Sequence, residues 1–214
     1  MSEPIVDRFI TYGRNGVLTW GMAVAAAPGE DESGDLGVLR PCGCGILVAV
    51  IDGAGHGLEA MAASRTAAGI LETFAHESPL SLVLRCHEGL RSTRGVVMTL
   101  ALIDVRDQTL TWLGVGNVDA VLFRAADAGG SPERLLLRPG VLGYQLPALR
   151  AEVLQLRPFD TLILATDGIR PDFAEQPRLN RTPQQIADDI LARHSKGTDD
   201  ALVMVARYPD GETT

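Results

Sequence analysis

Cysteine is scarce in this chain. Cys42, Cys44 and Cys86 are the only three among 214 residues, too few for a disulfide framework at this length. Basic blocks are missing as well. The chain carries 19 Lys and Arg against 27 Asp and Glu, a formal charge of −8, and no basic stripe interleaved with aromatics runs through it. That balance speaks against nucleic acid as the main partner and against an electrostatic membrane anchor. Apolar runs stay under ten residues, well short of the ~20 needed to span a bilayer. The opening stretch, MSEPIVDRF, has neither a basic n-region nor a long apolar segment, so no secretory signal is expected. The expected location is cytoplasmic, with no membrane partner.

Apolar residues, by contrast, are plentiful. A hydrophobic fraction of 46% supports a substantial core and does not fit a disordered chain. The length allows one large domain or two small ones. No internal repeat and no separating linker is visible, so a single domain over 1–214 is expected.

Patterning predicts strands at 4–12 and 17–27, joined as a hairpin through 13–16. Residues 28–44 read as a polar loop with acidic Glu30, Asp31, Glu32 and Asp35. Helices are predicted at 58–76, where alanine is frequent, and at 79–92, with Pro79 in the first turn. Strands at 96–104, 109–116, 118–124, 134–137, 151–156 and 161–166 follow, with a flexible loop at 125–132. A helix at 183–194 capped by Thr182 and a strand at 201–207 complete the chain. Consecutive hairpins with helices grouped in blocks predict an α+β fold with mainly antiparallel sheet.

The stretch GILVAVIDGAGHG, Gly45 to Gly57, stands out. An aliphatic run bounded by glycine reads as a buried strand. It ends on Asp52, and three glycines then let the backbone turn tightly. Asp52 is either a turn-capping carboxylate or a ligand or catalytic acid aimed into a crevice from a rigid element. The G-x-G-x-G spacing after an aspartate, outside any βαβ unit, does not fit a dinucleotide-binding turn.

Other strand ends repeat the pattern. Asp35 lies ahead of the central strand, Asp167-Gly168 closes TLILATDG, and Asp199-Asp200 opens DDALVMVA. Singly, each is a common turn residue. Carboxylates gathered within ~5 Å would repel by roughly 3 kcal/mol per adjacent pair at an effective dielectric of about 20. Such a cluster calls for cations, and all-oxygen ligation without histidine or thiolate selects Mg²⁺ or Mn²⁺ over zinc.

The chain resembles the metal-dependent (PPM-type) serine/threonine phosphatases, in particular their SpoIIE-type branch. The resemblance is carried by SGD at 33–35, DGAGHG at 52–57, RGVVMTLALIDV at 94–105, LTWLGVGN at 110–117, ATDG at 165–168 and TDDALVMV at 198–205. It implies an αββα sandwich with a dimetal site. Asp52 would bridge two Mn²⁺ or Mg²⁺ ions and the Gly53 carbonyl would bind one of them. Asp35, Asp167 and Asp199 would complete the catalytic and metal-binding set. A water activated by the two ions would attack phosphoserine or phosphothreonine with no phosphoenzyme. Val115-Gly116-Asn117 and Asp199-Asp200-Ala201-Leu202 depart from the AGHN and DDxT patterns of many relatives without removing an expected ligand. GVGN is most similar to RsbX-like phosphatases, which act on phosphorylated stressosome proteins, the STAS-domain scaffold and its partners.

The remaining polar residues are assigned lesser roles. His56 could donate a proton to the leaving oxygen, but reads better as part of the glycine turn. Asp200 could ligate a metal, but reads better as a support for the ligands. Asn117 is a turn residue able to hydrogen-bond near the site, and Asp119 and Asp172 read as surface or capping carboxylates. Cys42-Gly43-Cys44 resembles half a soft-metal site without its other half, so free thiols are expected. The leading function is a protein phosphatase in partner switching. A catalytically silent partner-binding module and a hydrolase of small phosphoesters are the competing readings. The charge of −8 favours a phosphoprotein with neutral or basic patches around its phosphosite.

Overall fold

Residues 8–12, 16–43, 45–125, 131–175 and 177–210 are described by the computed structural model. Strands β1 (Arg8–Tyr12), β2 (Gly16–Ala25), β3 (Asp35–Cys42) and β4 (Gly45–Gly53) come first. Helices α1 (Leu58–Thr73) and α2 (Pro79–Gly89) follow. Strands β5 (Val96–Asp104), β6 (Thr109–Val115), β7 (Asp119–Phe123), β8 (Glu133–Arg134), β9 (Glu152–Gln155) and β10 (Thr161–Ala165) lead to a 3₁₀ turn at Pro171–Ala174. Helix α3 (Pro183–His194) and strand β11 (Ala201–Arg207) close the chain.

Two antiparallel sheets result. One runs β1-β2-β11-β10-β7-β8 and the other β3-β4-β5-β6-β9. Between them Ile46, Val48 and Val50 of β4 meet Leu162 and Leu164 of β10 and Leu202 and Met204 of β11. The opposite face of β4 sends Leu47, Ala49 and Ile51 against Ala63, Ala67 and Leu71 of α1 and Leu82 and Val83 of α2. On the far side, Val203 and Val205 of β11 lie beneath Ile186, Ala187 and Ile190 of α3. Helix, sheet, sheet and helix are thus stacked as four layers, the expected αββα sandwich. Strands β4 and β11 are buried on both faces, which is why their sequences are continuous apolar runs rather than alternating ones.

Most predicted elements are present, with α1 and α2 shorter than expected and α3 over the expected residues. Helix α1 stops at Thr73, and the Phe74 N–H closes its last turn on the Ile70 carbonyl. Ser78 then caps α2 by accepting from the Ser81 N–H. Helix α3 carries a full capping box, Thr182 and Gln185 each accepting from the other's backbone N–H.

The polar loop expected at 28–44 needs correction, because its second half is strand β3. β3 pairs only with β4 and forms an edge of its sheet, where a proline such as Pro41 and half-exposed polar residues are tolerated. Gly37 within it fits because a methyl there would come 2.4 Å from the Met22 sulfur and 2.6 Å from Met204 Cε. The strand expected at 134–137 is reduced to the two-residue β8. The β1–β2 hairpin forms, pairing Tyr12 with Gly16. Its turn at 13–15, loop residues 126–130 and Cys44 lie outside the described residues. Among the described residues no helix is long and apolar enough to cross a membrane.

Candidate metal centre

Strand register does the first part of the assembly. In the β3–β4 pair, Asp35 lies directly opposite Asp52, so two carboxylates separated by 17 positions become cross-strand neighbours. The second sheet brings the others. Thr166 and Asp167 continue from the end of β10, Asp199 and Asp200 precede β11, and these two strands are paired neighbours. Stacking of the sheets brings both strand ends to one cleft of about 240 Å³, lined by Asp35, Asp52, Asp167, Asp199 and Asp200. The four expected carboxylates are therefore brought together.

Gly53 lies one residue beyond Asp52, buried against α1. A methyl there would stand 2.2 Å from the Ala60 carbonyl oxygen, so only glycine lets the helix approach this closely. Gly168 is held in the same way, with the Asp200 carbonyl oxygen 1.9 Å from where its Cβ would be. Both Asp-Gly pairs thus owe their glycine to packing.

Hydrogen bonds tie the two sheets together at the cleft. The Thr166 hydroxyl donates to Asp35 Oδ2 at 2.8 Å and accepts from the Leu202 N–H at 2.8 Å. The Asn117 side-chain amide donates to Asp167 Oδ2 at 2.7 Å. Asp200 is buried, and its two oxygens accept from the Ala27 N–H at 2.8 Å and the Gly34 N–H at 2.9 Å. It pins the loop that precedes β3, which supports the reading of Asp200 as a positioning carboxylate. The Ser64 hydroxyl of α1 donates to the Gly34 carbonyl at 2.6 Å and holds the same loop from the other side.

Electrostatics follow from this crowding. Burial, opposed by the Thr166 hydrogen bond and reinforced by Asp200, Asp167 and Asp199, raises the Asp35 pKa to about 7. Burial first, then the charges of Asp35, Asp167, Asp199 and Asp200, raise that of Asp52 to about 8. Their anionic forms are disfavoured because water is replaced by protein and by like charge. Among the described residues no three of these groups converge closely enough to enclose an ion; they face a shared cleft instead. The donor set nonetheless fits a hard divalent cation. Every candidate group is an oxygen, and a cation would restore the ionised form that burial and repulsion oppose.

Other residues singled out from sequence are placed more modestly. His56 lines the cleft mouth, is exposed, and has its Nδ1 3.1 Å from Glu30 Oε1. Asp119 is half-buried, 3.6 Å from Arg134. Asp172 is half-exposed and 2.9 Å from the His194 imidazole. Cys42 and Cys86 are free thiols, and burial pushes that of Cys86 up to about 12. Thr166 was missed in the sequence. Its one signal there is a hydroxyl at the end of the otherwise apolar run LILA.

Two stacked antiparallel sheets between helices, with carboxylates from both sheets at one cleft, are the arrangement implied by the resemblance to metal-dependent (PPM-type) serine/threonine phosphatases. The chain belongs to the SpoIIE family, whose sequence model, stage II sporulation protein E, matches residues 43–209. It is 22% identical over 180 residues to the phosphoserine phosphatase RsbX of Bacillus subtilis (strain 168), covering 84% of this chain and 89% of that protein. A solved structure reported for the bacterial stressosome, described as a modular system adapted to control secondary messenger signalling, is 28% identical. It superposes with a TM-score of 0.80 over 89% of this chain and 99% of that one. RsbX solved in complex with magnesium shares the fold at 19% identity, with a TM-score of 0.80 and coverage of 95% and 100%.

Proposed function

We propose that this phosphatase removes phosphate from phosphoserine or phosphothreonine on a partner protein of the stressosome or partner-switching type, with STAS-domain proteins as its substrates. One observation carries the reading: cross-strand register sets Asp35 opposite Asp52, on the same cleft as Asp167 and Asp199. Asp35, Asp52, Asp167, Asp199 and the Gly53 carbonyl would hold two Mg²⁺ or Mn²⁺ ions. When bound, such ions supply Lewis acidity towards the phosphoryl oxygens and towards the attacking water. Asp35 and Asp52 would have to be ionised to hold such ions, so their binding would compete with protons. Thr166 and Asn117 hold Asp35 and Asp167 in orientation, and Asp200 fixes the loop leading into β3. That both sheets serve one cleft supports reading the chain as one phosphatase domain, and its proposed site of action is the cytoplasm. The 28% identity to the stressosome structure supports the choice of partner.

The test is phosphate release from a phosphorylated STAS-domain protein and from a generic phosphopeptide, each with Mn²⁺ and then with EDTA. Metal-dependent release, strongest on the STAS protein, is expected. Release from the peptide alone would remove the partner assignment. No release from either, despite metal binding, would replace the reading with a silent binding module.

A further inference from the structure

We propose that Arg94 captures the substrate's phosphoryl group at the mouth of the cleft, and that Glu59 holds its guanidinium there until substrate arrives. This rests on the phosphatase reading above. The need for such a group comes from charge. Among the described residues the cleft is lined by five aspartates and by no lysine or arginine. Even two divalent cations leave those carboxylates short of neutrality, and a phosphomonoester brings about −1.5 to −2 more at neutral pH. A further positive charge must be supplied from the rim.

Arg94 is placed there by the fold. The β4–β5 register ends with Gly53 opposite Val96. Just beyond it the Ala54 N–H donates to the Gly95 carbonyl at 3.1 Å. Gly95 has a φ of 80°, and a Cβ on it would stand 2.4 Å from the Leu142 carbonyl oxygen, so the loop carrying Arg94 is held firmly against the glycine turn. The Arg94 Nη1 reaches to 3.1 Å from where a Cβ on Gly55 would be, and Gly55 is part of the cleft wall.

Its present partner is exchangeable. Arg94 Nε pairs with Glu59 in the first turn of α1, and the two side chains are 53% and 68% exposed. Exposed pairs of this kind are weak and readily exchanged. A guanidinium offers a planar fork that binds two phosphate oxygens at once, so a dianionic phosphoryl group displaces a single carboxylate at little cost. The other basic group at the mouth, His56, faces Glu30.

The experiment is calorimetric titration of inorganic phosphate into Mg²⁺-loaded wild type, Arg94→Ala, Arg94→Lys and Glu59→Gln. Mg²⁺ affinity and melting temperature are measured on each, and kinetics on the phosphoprotein. Arg94→Ala should weaken phosphate binding about tenfold, and raise KM more than it lowers kcat, with Mg²⁺ affinity held within about twofold. Arg94→Lys should recover part of the loss, since it keeps the charge but not the fork. Glu59→Gln should tighten phosphate binding by freeing the guanidinium. Equal phosphate affinity in wild type and Arg94→Ala would overturn the proposal, as would no measurable phosphate binding by wild type. A lowered melting temperature with phosphate affinity unchanged would likewise reduce Arg94 to a structural staple. Arg94-dependent phosphate binding without turnover on the phosphoprotein would keep the capture site and sink the hydrolysis reading instead.

Discussion

Two Asp-Gly pairs end two apolar strands, one in each sheet, and their surroundings differ. Asp52 closes β4 opposite another carboxylate, Asp35. Asp167, beyond β10, receives a hydrogen bond from the Asn117 amide, and its neighbour Thr166 turns its hydroxyl across to Asp35. Asp52 is set against a like charge by strand register, whereas Asp167 is met by a hydrogen-bond donor from the β6–β7 connection. Identical dipeptides on similar strands have thus acquired different jobs from what the register and the facing sheet set beside them.

Neutralising each aspartate should expose the difference most clearly. Asp52→Asn should reduce turnover by about 10³-fold or more if, as proposed, this carboxylate holds the ions that stabilise charge in the transition state. It should also raise the metal-free melting temperature at neutral pH by a few degrees, because an amide escapes the penalty that burial and neighbouring carboxylates place on ionising Asp52. Asp167→Asn should likewise depress turnover but leave the metal-free melting temperature without that gain. Equal stabilisation by both, in melts run with EDTA, would erase the contrast.

Acidity provides the next test. Asp35 and Asp52 have folded-state pKa values of about 7 and about 8, above the ordinary 3.8. Carboxylates raised in this way stabilise the fold most below pH 4, and that contribution is lost as pH rises through the folded values. The metal-free melting temperature should therefore fall between about pH 4 and pH 8. Mg²⁺ should reverse the fall, and its stabilising effect should grow with pH, since binding must displace protons. A metal-free melting temperature that rises over this range would contradict the repulsive cluster.

Smaller effects belong to the side chains that hydrogen-bond the carboxylates. Thr166→Val leaves the buried Leu202 N–H unpaired and removes the donor to Asp35. It should cost about 1–3 kcal/mol in denaturant unfolding. Asn117→Ala touches an exposed side chain and should change stability by no more than about 0.5 kcal/mol. Turnover should still drop several-fold as Asp167 loses its orienting donor. A large stability loss in Asn117→Ala with normal turnover would reverse the assignment.

Much of this was legible in the residues. Runs such as ILVAVI and ALVMVA announce strands because sheets buried on both faces admit only apolar side chains. Thr182 with Gln185 marks the start of α3 because capping is local chemistry. Strand β3 was hidden because an edge strand with one half-exposed face carries the polar, Gly- and Pro-containing composition of a loop. Arg94 could be read as part of a motif, but its nearness to Gly55 depends on the β4–β5 register and on the clamp at Gly95.

By itself, the sequence determined the local matters: where the buried strands and the helices run, where helices begin, and which oxygen-bearing side chains stand at the ends of those strands. Backbone propensity, side-chain periodicity and turn chemistry act over a few residues and leave their mark in order along the chain. The tertiary structure alone decided which of those side chains meet. Asp35 faces Asp52 through strand register, Thr166 reaches Asp35 across 131 positions, and Asp200 binds the Gly34 N–H across 166. These contacts exist because two sheets must bury their apolar faces against each other, and that packing brings the polar strand ends together at one cleft.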